Sequence, residues 1–186
     1  MGIDQQLGDS LSVQLSVFHQ DLEDEINGFY CGNPWPAPCT AINLDGSSER
    51  SGAELGARWN ATDRIGISAT YTYTESTDGD NAAELRRPRH AGSVQADVSI
   101  LESRGRISLA ADYGGTRQDI FFPPWPNPSE IVNLENYWLL DLTAQYQLSD
   151  AVKLFARGTN LLDTEYEQVY GYRTPGRPGY ADIQIS

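Results

Sequence analysis

Along residues 64–76, RIGISATYTYTES, apolar and polar side chains alternate: Ile65, Ile67, Ala69, Tyr71 and Tyr73 form one row, and Arg64, Gly66, Ser68, Thr70 and Thr72 the other. A period of two predicts a β-strand with one dry and one wet face. The pattern returns seven times. Leu11, Val13, Leu15 and Val17 share a face, as do Ala53, Leu55, Ala57 and Trp59, then Val94, Ala96, Val98 and Ile100. Ile107, Leu109, Ala111 and Tyr113 follow, then Leu140, Leu142, Ala144, Tyr146 and Leu148, then Val152, Leu154 and Ala156, and last Ala181, Ile183 and Ile185. Helical spacing fits none of these segments as well, so about eight strands are predicted.

The connections alternate too. NATD (60–63), ESRG (102–105) and LSDA (148–151) read as tight turns of Asn, Asp, Ser and Gly. Between them lie the long stretches GFYCGNPWPAPCTAI, STDGDNAAELRRPRH, DIFFPPWPNPSE and the surroundings of YGYRTPGRPG. Short, long, short, long is the order expected of an antiparallel up-and-down sheet whose two ends face different surroundings. Trp59 and Tyr146 lie near the short turns, whereas Tyr71, Tyr73, Tyr113 and Trp138 lie toward the long connections. Two aromatic belts are what a membrane's two interfaces favour.

The dry rows could pack against a protein core, as in a sandwich or lipocalin-like barrel, or against lipid. Single strands do not separate the two. The eight together, with one-sided connections and aromatic ends, predict an all-β fold: a transmembrane antiparallel up-and-down β-barrel segment. The opposite rows carry Glu54, Arg58, Gln95, Asp97, Asp112, Asp141, Gln145, Lys153 and Arg157, which describe a wet lumen.

Composition agrees. The 186 residues are only 39% hydrophobic, with one Met, 17 Gly, 10 Tyr and 4 Trp. A net charge of −13 and scattered Lys and Arg argue against a nucleic-acid partner, which needs a clustered basic surface. No apolar run approaches the 18 or so residues of a spanning helix, and Met1 does not open a signal peptide. Strand spans, of about 9–11 residues each, are untouched by that absence.

Cys31 and Cys39 lie within one turn-rich stretch with no usable His nearby, which favours a disulfide over a metal site. Closing a loop of roughly nine residues would stabilise by about 2.5 kcal/mol in the chain-entropy model. Such a bond belongs to an oxidising compartment.

The stretch GTNLLDTEYEQVYGYRTPGR, residues 158–177, resembles the penultimate region of TonB-dependent outer-membrane receptors. There an Asn-Leu-Phe-Asp-x-x-Tyr run precedes a Gly-Tyr element and a Pro-Gly-Arg turn. Asn160, Leu161, Asp163, Tyr166, Gly171, Tyr172, Pro175, Gly176 and Arg177 match, and Leu162 stands where the family has Phe. GIDQQLGDSLSVQLSVFHQDLEDEI resembles the strand, turn and strand of such barrels, and with RRPRH the resemblance covers nearly the whole chain. It implies a section, residues 1–186, of a barrel of about 22 strands in the bacterial outer membrane. This chain has room for about eight of those strands and holds neither the plug domain nor the TonB-binding box, so the expectation is a C-terminal portion; the terminal ADIQIS lacks the aromatic end such barrels have, so residues are expected to be missing at both ends.

By the same resemblance, the protein is part of a receptor for energised uptake of a large scarce nutrient, a siderophore–metal chelate or cobalamin. VYGYRTPGR is similar to the cobalamin-receptor branch, although siderophore receptors share much of that pattern. Expected partners are outer-membrane lipid, the plug domain, TonB and the ligand. The ligand should meet the outer connections, where Phe29, Tyr30 and Trp35, and Phe121, Phe122 and Trp125, offer proline-stiffened aromatic surface. The alternative is a small self-contained eight-stranded barrel with a structural or adhesin role.

Acidic groups at Asp21, Glu23, Asp24 and Glu25, and at Asp78, Asp80 and Glu84, follow no spaced calcium-loop motif and read as solvated loop charge. His19 and His90 are the only histidines, and neither sits in a nucleophile or acid–base motif. An enzyme, a cofactor and a resident metal are not expected.

Overall fold

The computed structural model describes residues 1–31, 39–43, 46–79 and 82–185. Among these there are thirteen strands: β1 (Gly2–Leu7), β2 (Leu11–Glu23), β3 (Ile26–Cys31), β4 (Cys39–Asn43), β5 (Ser47–Thr62), β6 (Ile65–Thr77), β7 (His90–Ile100), β8 (Gly105–Gly114), β9 (Arg117–Phe121), β10 (Glu130–Leu134), β11 (Tyr137–Ser149), β12 (Val152–Gly158) and β13 (Gly179–Ile185). Nine form one antiparallel sheet in the order β1-β2-β5-β6-β7-β8-β11-β12-β13. Neighbours in the sheet are successive strands of the chain once the hairpins β3–β4 and β9–β10 are set aside, which is up-and-down topology.

All eight alternating segments are strands of this sheet. The ninth, β1, offers only Ile3 and Leu7 as apolar residues and is too short to show alternation by itself. It forms because β2 supplies a partner from Leu11 to Ser16. The strands also outrun their alternating cores. β5 has 16 residues and β2, β6 and β11 have 13 each, longer than the 9–11 or so that a tilted span requires.

Register carries each apolar row onto the next strand. Leu15 pairs with Leu55, Leu55 with Tyr71, Ala69 with Val94, Val94 with Ala111, and Ala111 with Leu140. The result is one continuous apolar face. Among the described residues nothing covers that face: Leu15, Leu55, Val94 and Leu109 are all exposed, Leu109 to 43%. Among the described residues the buried hydrophobic side chain is Leu134, while the other buried side chains are polar or charged: Ser48, Glu84, Arg117, Asp119 and Asn160. A water-soluble sandwich or lipocalin would show the reverse, because its apolar rows are what it buries.

The sheet's two ends differ as predicted. Residues 8–10, 63–64, 101–104 and 150–151 make the short turns at one end. Gly8 sits at φ +63° in the first of these, where its missing Cβ matters, and Leu101, Glu102 and Ser103 are all left-handed in the third. The long connections, 24–46, 78–89, 115–136 and 159–178, gather at the other end. Trp138, Tyr113 and Tyr71 lie in one register row near that end, joined through Gly92. His90, which in sequence reads as loop charge, starts β7 and belongs to this belt. Its ring packs against Tyr71 and Tyr73, and its Nδ1 lies 2.7 Å from the Tyr71 hydroxyl. At the other end Trp59 is exposed, and the Arg104 guanidinium lies over the Tyr146 ring.

Among the described residues β1 pairs only with β2, and β13 only with β12. The sheet does not close on itself, which is not the arrangement of the self-contained eight-stranded barrel.

Candidate functional site

The four long connections are tied together at the outer end of the sheet, and the ties are mostly charged. Arg50, near the start of β5, donates from NH2 to Glu25 at 2.6 Å and to Glu84 at 2.6 Å, and from Nε to Glu84 at 3.0 Å. Arg87 Nε reaches the same Glu84 carboxylate at 2.5 Å. Hydrogen bonding from Arg50, helped by Arg87, holds the Glu84 carboxyl below its ordinary range against the opposing effect of burial. The Ser48 hydroxyl and then Arg50 do the same for Glu25. Reciprocally, Arg50 is held protonated, chiefly by its hydrogen bond to Glu84. The carboxylates at 25 and 84 are thus committed to arginines rather than solvated.

Two residues along connection 78–89, Arg86 turns to the next connection. Its Nε donates to Asp119 Oδ1 at 2.8 Å, and its backbone N–H donates to Gln118 O at 2.6 Å. Asp119 is fully buried in the β9–β10 hairpin. The Ile120 amide also donates to Oδ1, at 2.8 Å, and the Tyr170 amide to Oδ2, at 2.7 Å. Burial pushes the Asp119 carboxyl up, but the Tyr170 and Ile120 amides and Arg86 outweigh it and hold it below its ordinary value. Arg117, also buried, donates to Gly115 O at 3.1 Å and to Glu167 O, and its guanidinium lies 5.2 Å from the centre of the Tyr137 ring. Gly115 lets this connection pass close to the start of β7, since a Cβ there would stand 2.6 Å from His90 O.

The 159–178 connection is built by the motif that carries the family resemblance. Asn160 is left-handed (φ +47°) and buried. Its side chain bridges Thr164, accepting from N at 2.9 Å and donating to O at 3.0 Å, while its own amide donates to Asp141 at 3.0 Å. Asp163 faces Arg177 at 3.6 Å, the Tyr166 ring lies tilted against Tyr137 with centroids 4.5 Å apart, and Gly171 takes φ +78°. An open recess beside this connection is lined by Glu135, Asp163, Glu165, Tyr166, Glu167 and Arg173, among others.

The aromatic ligand candidates separate. Phe121 turns inward onto Tyr170, with ring centroids 5.2 Å apart. Phe122 and Trp125, at the hairpin tip, are 71% and 92% exposed. Tyr172, which alternation could not single out, is exposed on the neighbouring connection. The side chains of Phe29 and Tyr30, and all of Trp35, lie outside the described residues. Cys39 is disulfide-bonded, and the β3–β4 register sets Cys31 directly opposite it. His19 lies 3.5 Å from Asp21 and 3.6 Å from Glu49, exposed above the apolar face. The wet face is an interlinked polar wall, in which Ser108 and Gln95 donate to Asp97 and Arg157 donates to Asp141 at 3.0 Å.

Sequence reasoning passed over Asp119, Arg50, Glu84 and Arg117 as organising groups. A lone Asp in a Phe- and Pro-rich stretch was the available signal for the first. For the others, partners far along the chain decide the role.

An up-and-down sheet with an exposed apolar face, two aromatic belts and all long connections at one end defines an outer-membrane β-barrel wall. Residues 2–161 match the family model for the TonB dependent receptor-like β-barrel, and the chain belongs to that family. The Vibrio cholerae serotype O1 iron-regulated outer membrane virulence protein is 28% identical over 96% of this chain, which spans 29% of that protein's length. The vitamin B12 transporter BtuB of the same organism is 28% identical over 76% of the chain and 22% of its own length. In fold, the chain is similar to the ferripyoverdine receptor of the outer membrane of Pseudomonas aeruginosa, with a TM-score of 0.76 at 17% identity over 99% of this chain and 26% of that one. The ferric-catecholate import receptor Fiu of Escherichia coli in its closed form gives 0.73 at 20% identity over 99% and 26%. Two of these proteins are named as receptors and one as a transporter; the chain spans less than a third of the length of each, and its place is the bacterial outer membrane.

Proposed function

We propose that this chain is a C-terminal section of the wall and outer rim of a receptor that imports a large, scarce nutrient, a siderophore–metal chelate or cobalamin, with TonB supplying energy and a plug domain filling the lumen. The single observation that carries this reading is the family match over residues 2–161. The two-faced sheet supports it, because a wall of small and charged groups suits a wide wet lumen better than a narrow packed one. The exposed tip with Phe122 and Trp125 is the ligand-contacting surface of this section, and the hairpin bearing Phe29, Tyr30 and Trp35 is its counterpart. Aromatic rings held on proline-stiffened connections give apolar contact with little ordering cost.

The test uses the complete receptor carrying this sequence, in cells deprived of their other receptors. Uptake is measured with a cationic ferric trihydroxamate, an anionic ferric tris-catecholate and cyanocobalamin. One of the three should enter in a TonB-dependent manner, and Trp125→Ala should weaken its binding about 10-fold or more, as loss of an exposed aromatic anchor does. Transport of none of them, with or without TonB, would overturn the reading.

A disulfide between Cys31 and Cys39 closes the β3–β4 hairpin in this proposal. Exported protein alkylated without reductant should leave both thiols unlabelled, and labelling of both would disprove the bond.

A further inference from the structure

The charged ties at the outer end form an unbroken series. Glu25–Arg50–Glu84 joins connection 24–46 to connection 78–89, Arg86–Asp119 joins 78–89 to 115–136, and Asp119–Tyr170 together with Arg117–Glu167 joins 115–136 to 159–178. Asp119 is the point where three connections meet. It is fully buried, it sits in a hairpin rather than in the sheet, and each of its two oxygens is used by a different neighbouring connection. A carboxylate in this position is costly unless satisfied, and here it receives three donors. Three residues beyond it, at Phe122, the chain enters the exposed tip.

We propose that Asp119 is a positioning residue for ligand capture: by fastening connections 78–89, 115–136 and 159–178 into one body, it holds the Phe122–Trp125 tip in a fixed place. The role of the tip rests on the function proposed above, whereas the fastening does not. Without the carboxylate, Arg86 loses its anionic partner and the Tyr170 amide loses its acceptor, so among the described residues the three connections keep only the Arg86 amide–Gln118 and Arg117–Glu167 bonds between them and open more readily.

The experiment is amide hydrogen exchange on the complete receptor in lipid nanodiscs, without ligand, comparing wild type with Asp119→Ala, Asp119→Asn and Arg86→Gln. Asp119→Ala should speed exchange about tenfold or more at Tyr170 and at amides of 82–90 and 117–134 together, as expected when a charge-assisted bond is removed. Asp119→Asn keeps one acceptor oxygen and should fall between the alanine variant and wild type. Arg86→Gln should release 82–90 while Tyr170 stays protected. Strands β7, β8 and β11 should be unchanged in every variant. If the alanine variant does not insert, the other two carry the test. Faster exchange confined to 117–134, with 82–90 and Tyr170 unaffected, would overturn the fastening.

The capture role is read separately, on whichever of the three uptake probes is transported. Asp119→Asn should raise the half-saturation concentration several-fold and leave maximal uptake within about twofold, the split expected when ligand binding rather than turnover is impaired. A fall in maximal uptake at unchanged half-saturation would mark a merely structural defect and overturn the role in capture. Transport of no probe would instead refute the receptor function, leaving the exchange result to decide the fastening.

Discussion

At Leu109 and Ser108 the two solvents of this protein are one residue apart. Leu109 lies on the exposed apolar face between Ala96 and Leu142. Ser108 lies on the wet face and donates to Asp97. Leu109→Arg in a receptor barrel refolded into bilayers should therefore cost about 2–4 kcal/mol, the penalty for a cation near the membrane midplane. Ser108→Arg should cost much less, since its guanidinium would face water and a carboxylate. Equilibrium unfolding in urea compares the two, and equal costs would reverse the assignment of faces. Alternation makes this contrast legible from sequence, because parity along a strand is a local property. The same parity could not reveal Asp119: its neighbours Arg86 and Tyr170 are 33 and 51 residues away.

For the elements, the outer connections should respond to acid while the strands do not. Glu25, Glu84 and Asp119 all have their carboxyl pKa lowered in the docked state. A released connection would bind protons more readily than a docked one, so its carboxyls contribute docking stability that is complete above the ordinary carboxylate range, near 4. That contribution is lost as pH falls through the lower, docked values. Proteolysis of the outer connections on intact membranes should thus stay constant from pH 7 to about 5 and rise toward pH 3, with the membrane-embedded strands uncut throughout. Susceptibility that rises with increasing pH over the same interval would contradict the assigned ion pairs. The hairpins β3–β4 and β9–β10 were not legible as strands, because neither shows alternation over more than five or six residues and both lie in stretches broken by Pro and Gly. Turn chemistry was visible there, whereas pairing depends on what the flanking connections hold in place.

Across the whole molecule, the decisive feature is the pair of unpartnered edges. Among the described residues β1 and β13 each leave one row of backbone N–H and C=O groups without a strand neighbour, and an open edge is a site for association in water and is not tolerated in lipid. The 186-residue chain produced by itself should self-associate, seen as large species by light scattering in detergent. Supplying the remaining strands of the barrel should give a monodisperse protein. A monomeric, well-dispersed chain would show that β1 and β13 find each other, and would restore the self-contained barrel.

Sequence alone determined which residues face lipid, which face water, where the membrane interfaces fall and which end carries the long connections. Each of these follows from a period of two, from aromatic placement and from turn composition, all of which act over a few residues. Tertiary structure alone decided that β1 joins the sheet, that His90 belongs to the aromatic belt, and that Phe121 turns inward while Phe122 and Trp125 project. It also decided that the acidic groups of the outer connections are anchors. Glu84 and Asp119 are indistinguishable from solvated charge until the fold brings Arg50 and Arg86 to within 3.0 Å of them, and burial then makes those pairings necessary.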